Sequence, residues 1–134
     1  MHSQENIGKL ILRLGLGILL LMHGLNKLIY GLDMVGNLVT NAGWPYFITY
    51  GVLIGEVLAP SLIILGVLTR ASAILIAVNM AVGIYLVHMR DIFVIAKNGA
   101  WALELQGFYL ISALAIAFLG AGSYSFAGSR GRFN

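Results

Sequence analysis

Seven polar or ionisable side chains stand inside, or at the edges of, stretches built otherwise from apolar residues: Arg13, His23, Lys27, Glu56, Asn79, His88 and Glu104. Each is costly in hydrocarbon, so each is expected to face a bundle interior or a wet cavity. For His23, Lys27, Glu56, His88 and Glu104 the chemistry on offer is a ligand pocket. Imidazoles and a carboxylate could hydrogen-bond the carbonyls of a quinone head and carry the protons that accompany its two-electron reduction. The same five groups could instead be ion pairs that hold helices in register. Arg13 and Asn79 read as a deeper, structural polar network.

Two imidazoles and a carboxylate are also familiar metal ligands. His23, His88 and Glu104 lack the HxxxH or ExxH spacing that sets two ligands on one helix face, so neither a metal nor a haem is expected. The sequence has no cysteine, which excludes disulfides, thiolate chemistry and cysteine-held clusters within it.

The elements that must position these groups are four apolar runs, at residues 7–29, 45–68, 71–89 and 102–120. Of the 134 residues, 60% are hydrophobic and only 10% charged, against about 25% charged in soluble domains. Mean hydropathy is +0.93. Each run approaches the roughly 20 residues a helix needs to cross a bilayer. Helices are required at this length because each backbone donor must be satisfied within its own segment. The strict alternation of barrel strands is absent. The first run is too long for a signal peptide, contains Arg13 and precedes no A-x-A-like site, so it reads as a retained span.

Runs two and three are joined only by Thr69-Arg70, which predicts a tight antiparallel hairpin. Loops 30–44 and 90–101 lie on the opposite side and end in Trp44-Pro45-Tyr46 and Trp101, residue types suited to the headgroup level. Lys9, Arg13, Arg70, Arg130 and Arg132 fall on one side and Lys27, Arg90 and Lys97 on the other, which places both termini in the cytoplasm. The net charge of +3 is dispersed, so it marks topology and not nucleic-acid binding. Residues 123–134 show no apolar periodicity and read as a flexible tail attracted to anionic lipid.

Arg13, Leu20 and Lys27 recur every seven residues, with Gly17 and Gly24 on the same stripe, so this face should meet another helix. At about 1.5 Å of rise per residue, His23, His88 and Glu104 share a level roughly 24–26 Å from the cytoplasmic ends. Lys27 lies about one turn further out, and Glu56 at roughly 18 Å, nearest in height to His23. Arg13 and Asn79 fall at roughly 9 and 12 Å, from where Arg13 could reach toward Glu56 through Asn79. Pro60 cannot donate to the Glu56 carbonyl, which predicts a kink and a small polar pocket there. Gly51 and Gly55 form a GxxxG close-packing signal. Asn79 and His88, nine residues apart, fall on opposite faces of an ideal helix unless Gly83 marks a distortion.

Taken in order, several elements resemble the DoxX family of small bacterial membrane proteins. They are Arg13 with the Gly-rich run after it, His23-Gly24-x-x-Lys27-Leu28, Gly55-Glu56, Leu65-Gly66-Val67-Leu68-Thr69-Arg70, Val87-His88, Glu104, and Gly120-Ala121-Gly122-Ser123-Tyr124-Ser125. The resemblance implies a four-helix bundle with cytoplasmic termini and an association with redox metabolism. A related branch, DoxD, resembles the quinone-linked small subunit of thiosulfate oxidation, and other members are linked to quinol oxidases or oxidative stress. The chain departs from the pattern at Ala127, where the family carries a terminal aspartate, and at Ala59-Pro60, where Gly-Gly is usual.

The expectation is an all-α integral membrane protein, one domain over 1–134, folded as an antiparallel up-down-up-down four-helix bundle in the bacterial cytoplasmic (inner) membrane. Its expected role is a quinone-associated subunit of a redox or oxidative-stress-linked complex, in contact with membrane lipids and a redox partner protein. The alternatives are a non-enzymatic scaffold or assembly factor, or a small-solute transporter made from a homodimer through the Gly51/Gly55 face. Whether the protein is an enzyme is left open.

Overall fold

The computed structural model describes residues 2–134, and among them the regular elements are helices, with one isolated antiparallel bridge between Ile95 and Trp101. We label the helices α1 (His2–Tyr30), α2 (Asp33–Asn41), α3 (Tyr46–Leu65), α4 (Thr69–Asp91) and α5 (Glu104–Leu119). Helix α1 packs on α3 and α5, α3 on α4, and α4 along α5. The packed centre is formed by Leu16 and Leu20 of α1, Ala59 and Ile63 of α3, Ala73, Ile76, Ala77 and Met80 of α4, and Tyr109, Ala113 and Ile116 of α5. Outside this layer the helices are apolar too. Ile11, Ile18 and Met22 on α1 and Phe108, Ile111 and Phe118 on α5 are exposed. A surface this apolar is suited to lipid.

Helices α1, α3 and α4 are each long and apolar enough to span a membrane. The fourth apolar run is shorter than its composition suggests. Its helix has 16 residues, about 24 Å against a hydrocarbon core of about 30 Å. Trp101, Ala102 and Leu103 are spent in a turn, in which Ala102 N–H pairs with the Val94 carbonyl and Glu104 N–H with that of Trp101. Gly120, at φ 80°, ends the helix.

Two helices change pitch where the sequence obliges them to. In α3 the stretch Ile54–Leu58 is π-helical, with the Ala59 N–H bonded to the Ile54 carbonyl. Pro60 has no N–H to give Glu56, so the ladder slips by one residue there. In α4 the stretch Ile84–His88, directly after Gly83, is also π-helical. Helix α3 ends in a Schellman motif, with Gly66 in the left-handed region and the N–H groups of Gly66 and Val67 returning to Ile63 and Leu62. The hairpin to α4 therefore turns over residues 66–68, with Leu68 at φ 48°, and Thr69-Arg70 already belong to α4.

The expected flexible tail is instead fastened to these helix ends. Phe126 N–H pairs with the Leu65 carbonyl and Ala127 N–H with that of Gly66, while the Phe133 carbonyl accepts from Arg70 and Ala71. Asn134 Oδ1 accepts from Thr69 N–H at 3.0 Å. Helix ends leave carbonyls and N–H groups without intrahelical partners, and the tail supplies them. Its lack of apolar periodicity reflects bonding through the backbone rather than side-chain packing.

Arg13 completes the same end of the molecule. It is 1% exposed, and its guanidinium donates to the carbonyls of Ile63, Ile64, Ala121 and Tyr124 at 2.8–3.1 Å. It thus caps the last turn of α3 and ties in the segment that follows α5. The expected reach toward Glu56 through Asn79 is not made. A cation beside the carbonyl end of a helix is favoured by the dipole and the unpaired acceptors together.

Candidate ligand cavity

The other end of the molecule encloses a cavity of about 500 Å³. Its polar lining is His23 and Lys27 from α1, Glu56 from α3, Asn79 and His88 from α4, and Gln106 and Tyr109 from α5. The rest is aliphatic, from Leu20 at the inner wall to Ile54, Val78 and Leu86.

The strongest contact is the ion pair of Lys27 Nζ with Glu56 Oε2 at 2.5 Å, the two side chains being 33% and 6% exposed. By height along the helix His23 is the nearer partner, yet Lys27 makes the bond. Side chains on a helix lean toward its N-terminus, so the long Lys27 side chain reaches back about one turn. Glu56 is carried by the π segment of α3, and its main-chain carbonyl packs against Gly24. Gly17 likewise admits Ile64 and the Pro60 carbonyl. The glycine stripe of α1 is thus the face that receives α3.

His23 is exposed while lining the cavity, and its ring meets the edge of Tyr109 at 6.0 Å and 78°. His88 Nε2 lies 3.3 Å from Gln106 Nε2, with the donor set by the imidazole tautomer. Asn79 packs on Gly55. Asn79 and His88 both line the cavity despite their nine-residue spacing. A π turn advances less than the roughly 100° per residue of an α-helix, so the π segment swings His88 back toward the face of Asn79.

One expected member lies elsewhere. Glu104 is exposed and does not line the cavity. It is the first residue of α5, and Gln106, about 200° further round the helix, takes the inward position. Gly51 has open space around it, and Gly55 is already covered by Asn79 within the same chain. Both glycines line the cavity.

Gln106 and Tyr109 were missed because neither carries a formal charge. Their spacing to the buried Ala113 and Ile116 is the signal that marks the inner face. Helix α2 lies within the stretch 30–44 that the sequence predicts as a loop. Met34, Val35, Leu38 and Val39 fall at helical spacing, and all four line the cavity. Helix α2 is held over it by Tyr46, packed on Gly36, and is followed by Trp44, which stacks on Tyr85 of α4 at 6.0 Å and 6°.

Among the described residues no three His, Asp or Glu side chains stand close enough together to hold a metal ion. What converges is one carboxylate, one ammonium, two imidazoles, two amides and a phenol, set in an apolar enclosure. That set can donate to and accept from a compact polar head while leaving an apolar body against Ile54 and Leu38.

A model of the DoxX family matches residues 8–89, which include α2, α3 and nearly all of α1 and α4. The match contains His23, Lys27, Glu56, Asn79 and His88. Neither the curated proteins nor the solved structures compared with the chain gave a match. The family match extends over more than half of the chain, and three of its helices are long and apolar enough to cross a bilayer. This chain therefore belongs to the DoxX family and is an integral membrane protein.

Proposed function

We propose that the protein binds the head of a quinone in the membrane and serves as the quinone-associated subunit of a redox or oxidative-stress-linked complex. In this reading it is an antiparallel four-helix bundle of the bacterial cytoplasmic membrane, with both termini in the cytoplasm and electrons supplied by a partner protein. One observation carries the reading: a buried carboxylate and its lysine form the polar end of an otherwise largely apolar cavity of about 500 Å³.

A quinone supplies the two-electron chemistry, its reduction to quinol taking up two electrons and two protons. The chain's residues hold and hand over protons. Lys27 donates to one quinone carbonyl oxygen without leaving Glu56. His88 or Gln106 is placed to donate at a second position, and Tyr109 lines the same cavity beside the His23 ring. The largely aliphatic lining lowers the local dielectric, which strengthens each of these hydrogen bonds.

The test is thermal unfolding of the purified protein with and without a quinone. At a quinone concentration about a hundred times its Kd, stabilisation of about 2.7 kcal/mol is expected, and it should vanish in Glu56→Ala. No shift with any quinone, at concentrations that saturate the micelle, contradicts the proposal.

A further inference from the structure

A second, wholly apolar hollow lies on the outer face where α1 meets α3, lined by Leu28, Leu53, Ile54, Val57, Leu58 and Ser61 and about 340 Å³ in volume. Its one side-chain polar group is neutralised within the helix, since Ser61 Oγ donates to the Val57 carbonyl at 2.6 Å. The hollow is not independent of the cavity. Ile54 lines both. On α1 the consecutive residues Lys27 and Leu28 divide between them, Lys27 to the cavity and Leu28 to the hollow. On α3 Gly55 and Glu56 serve the cavity while Val57 and Leu58 serve the hollow. The π turn that delivers the Glu56 carboxylate to Lys27 thus also shapes the outer hollow. Ile54, which the two spaces share, is itself about half exposed, so the cavity is open on this side.

We infer that the hollow is the tail subsite of the ligand whose head occupies the cavity: an isoprenoid or alkyl chain leaves past Ile54 and lies along α3 from Leu53 to Ser61. That stretch is about 12 Å long, enough to order the first part of a tail and leave the rest in lipid. The inference rests on the quinone reading and narrows it, because it makes the ligand a long-tailed amphiphile selected by tail as well as by head. An apolar hollow that shares Ile54 with the cavity and begins at the residues next to Lys27 and Glu56 fits the junction of such a molecule, where polar head gives way to apolar chain.

The test compares one benzoquinone head carrying a methyl, a decyl or a multi-isoprenoid tail, bound to the full chain in detergent, with each affinity referred to the ligand's mole fraction in the micelle. The decyl compound should bind about tenfold more tightly than the methyl one, and the isoprenoid compound at least as tightly as the decyl. Leu58→Trp fills the hollow without touching the cavity. It should remove most of the tail advantage and leave methyl-head binding unchanged. Equal affinity for methyl and decyl heads overturns the tail subsite while leaving the quinone reading intact. So does a Leu58→Trp variant that weakens both ligands alike. Displacement of the decyl compound by an alkane without a head, at equal mole fraction, would show an annular lipid position and overturn it too. If no head binds with any tail, both readings fall.

Discussion

The main-chain carbonyl oxygen of Glu56 occupies the space that a Cβ on Gly24 would need. That carbonyl has lost its helical donor to Pro60 and rests instead against the Cα of α1, a setting in which a weak Cα–H···O contact serves. The carboxylate of the same residue turns to Lys27. One residue therefore fastens α3 to α1 twice, through its backbone at Gly24 and its side chain one turn later. The cavity depends on both.

Any side chain at Gly24 must push α3 away or distort the π turn. Gly24→Ala should destabilise the protein by about 1–3 kcal/mol and weaken ligand binding as the Lys27–Glu56 geometry is lost. Gly51→Ala, with open space around it, should change stability by less than about 0.5 kcal/mol. Thermal unfolding in detergent of the two variants side by side checks the contrast. Similar losses would show that GxxxG, and not the α1 stripe, is the packing motif.

The ion pair should respond unequally to loss of its two ends. Lys27→Met leaves a carboxylate that is 6% exposed without a partner, and should cost about 1–3 kcal/mol. Glu56→Leu leaves a lysine that can turn outward, and should cost less. The double variant should be more stable than Lys27→Met alone, because two apolar groups replace a stranded charge. A double-mutant cycle in chemical unfolding measures all three.

At the opposite end, Arg13 serves four carbonyls from two segments. A lysine cannot reproduce that planar fork. Arg13→Lys should cost about 2–4 kcal/mol, and it should loosen residues 121–134. Hydrogen exchange at the Arg70 and Phe126 amides, both bonded across this junction, should rise in the variant. Unchanged protection there would mean that the tail holds itself in place without Arg13.

The sequence carried much of this because hydrocarbon penalises every unpaired polar group. Arg13, Glu56 and Lys27 announced themselves by being there at all, and Gly17 and Gly24 by sharing their stripe. Pro60 located the break in the α3 ladder. Partners were harder to read than residues. Helical height favoured His23 for Glu56, because rise along the axis ignores the backward lean of a long lysine side chain. Residue types point Arg13 toward a carboxylate, whereas it satisfies carbonyls, since backbone acceptors at helix ends leave no mark on residue type. Glu104 drew attention through its charge, whereas the neutral Gln106 beside it holds the inward position. Helix α2 and the fastened tail were obscured for a related reason. Their roles rest on short-range periodicity and main-chain bonds in stretches that resemble ordinary loops.

Replacing each of those two α5 residues separates charge from position. Gln106→Leu should weaken binding of a quinone head about fivefold to tenfold, the loss of one hydrogen bond, and leave His88 without its neighbour. Glu104→Ala should leave binding unchanged. Isothermal or fluorescence titration in micelles decides between them, and the reverse ranking would move the site to the start of α5.

The most direct measurement is photo-crosslinking of a benzoquinone-headed probe to the protein in lipid nanodiscs, with the labelled residues mapped by mass spectrometry. The account predicts labels confined to His23–Lys27 on α1, the Glu56 turn of α3, the Asn79-to-His88 face of α4 and Gln106 or Tyr109 on α5, all suppressed by excess unlabelled quinone and by Glu56→Gln. Labels spread over the outward residues Ile11, Ile18 and Phe118, and indifferent to both treatments, would contradict it.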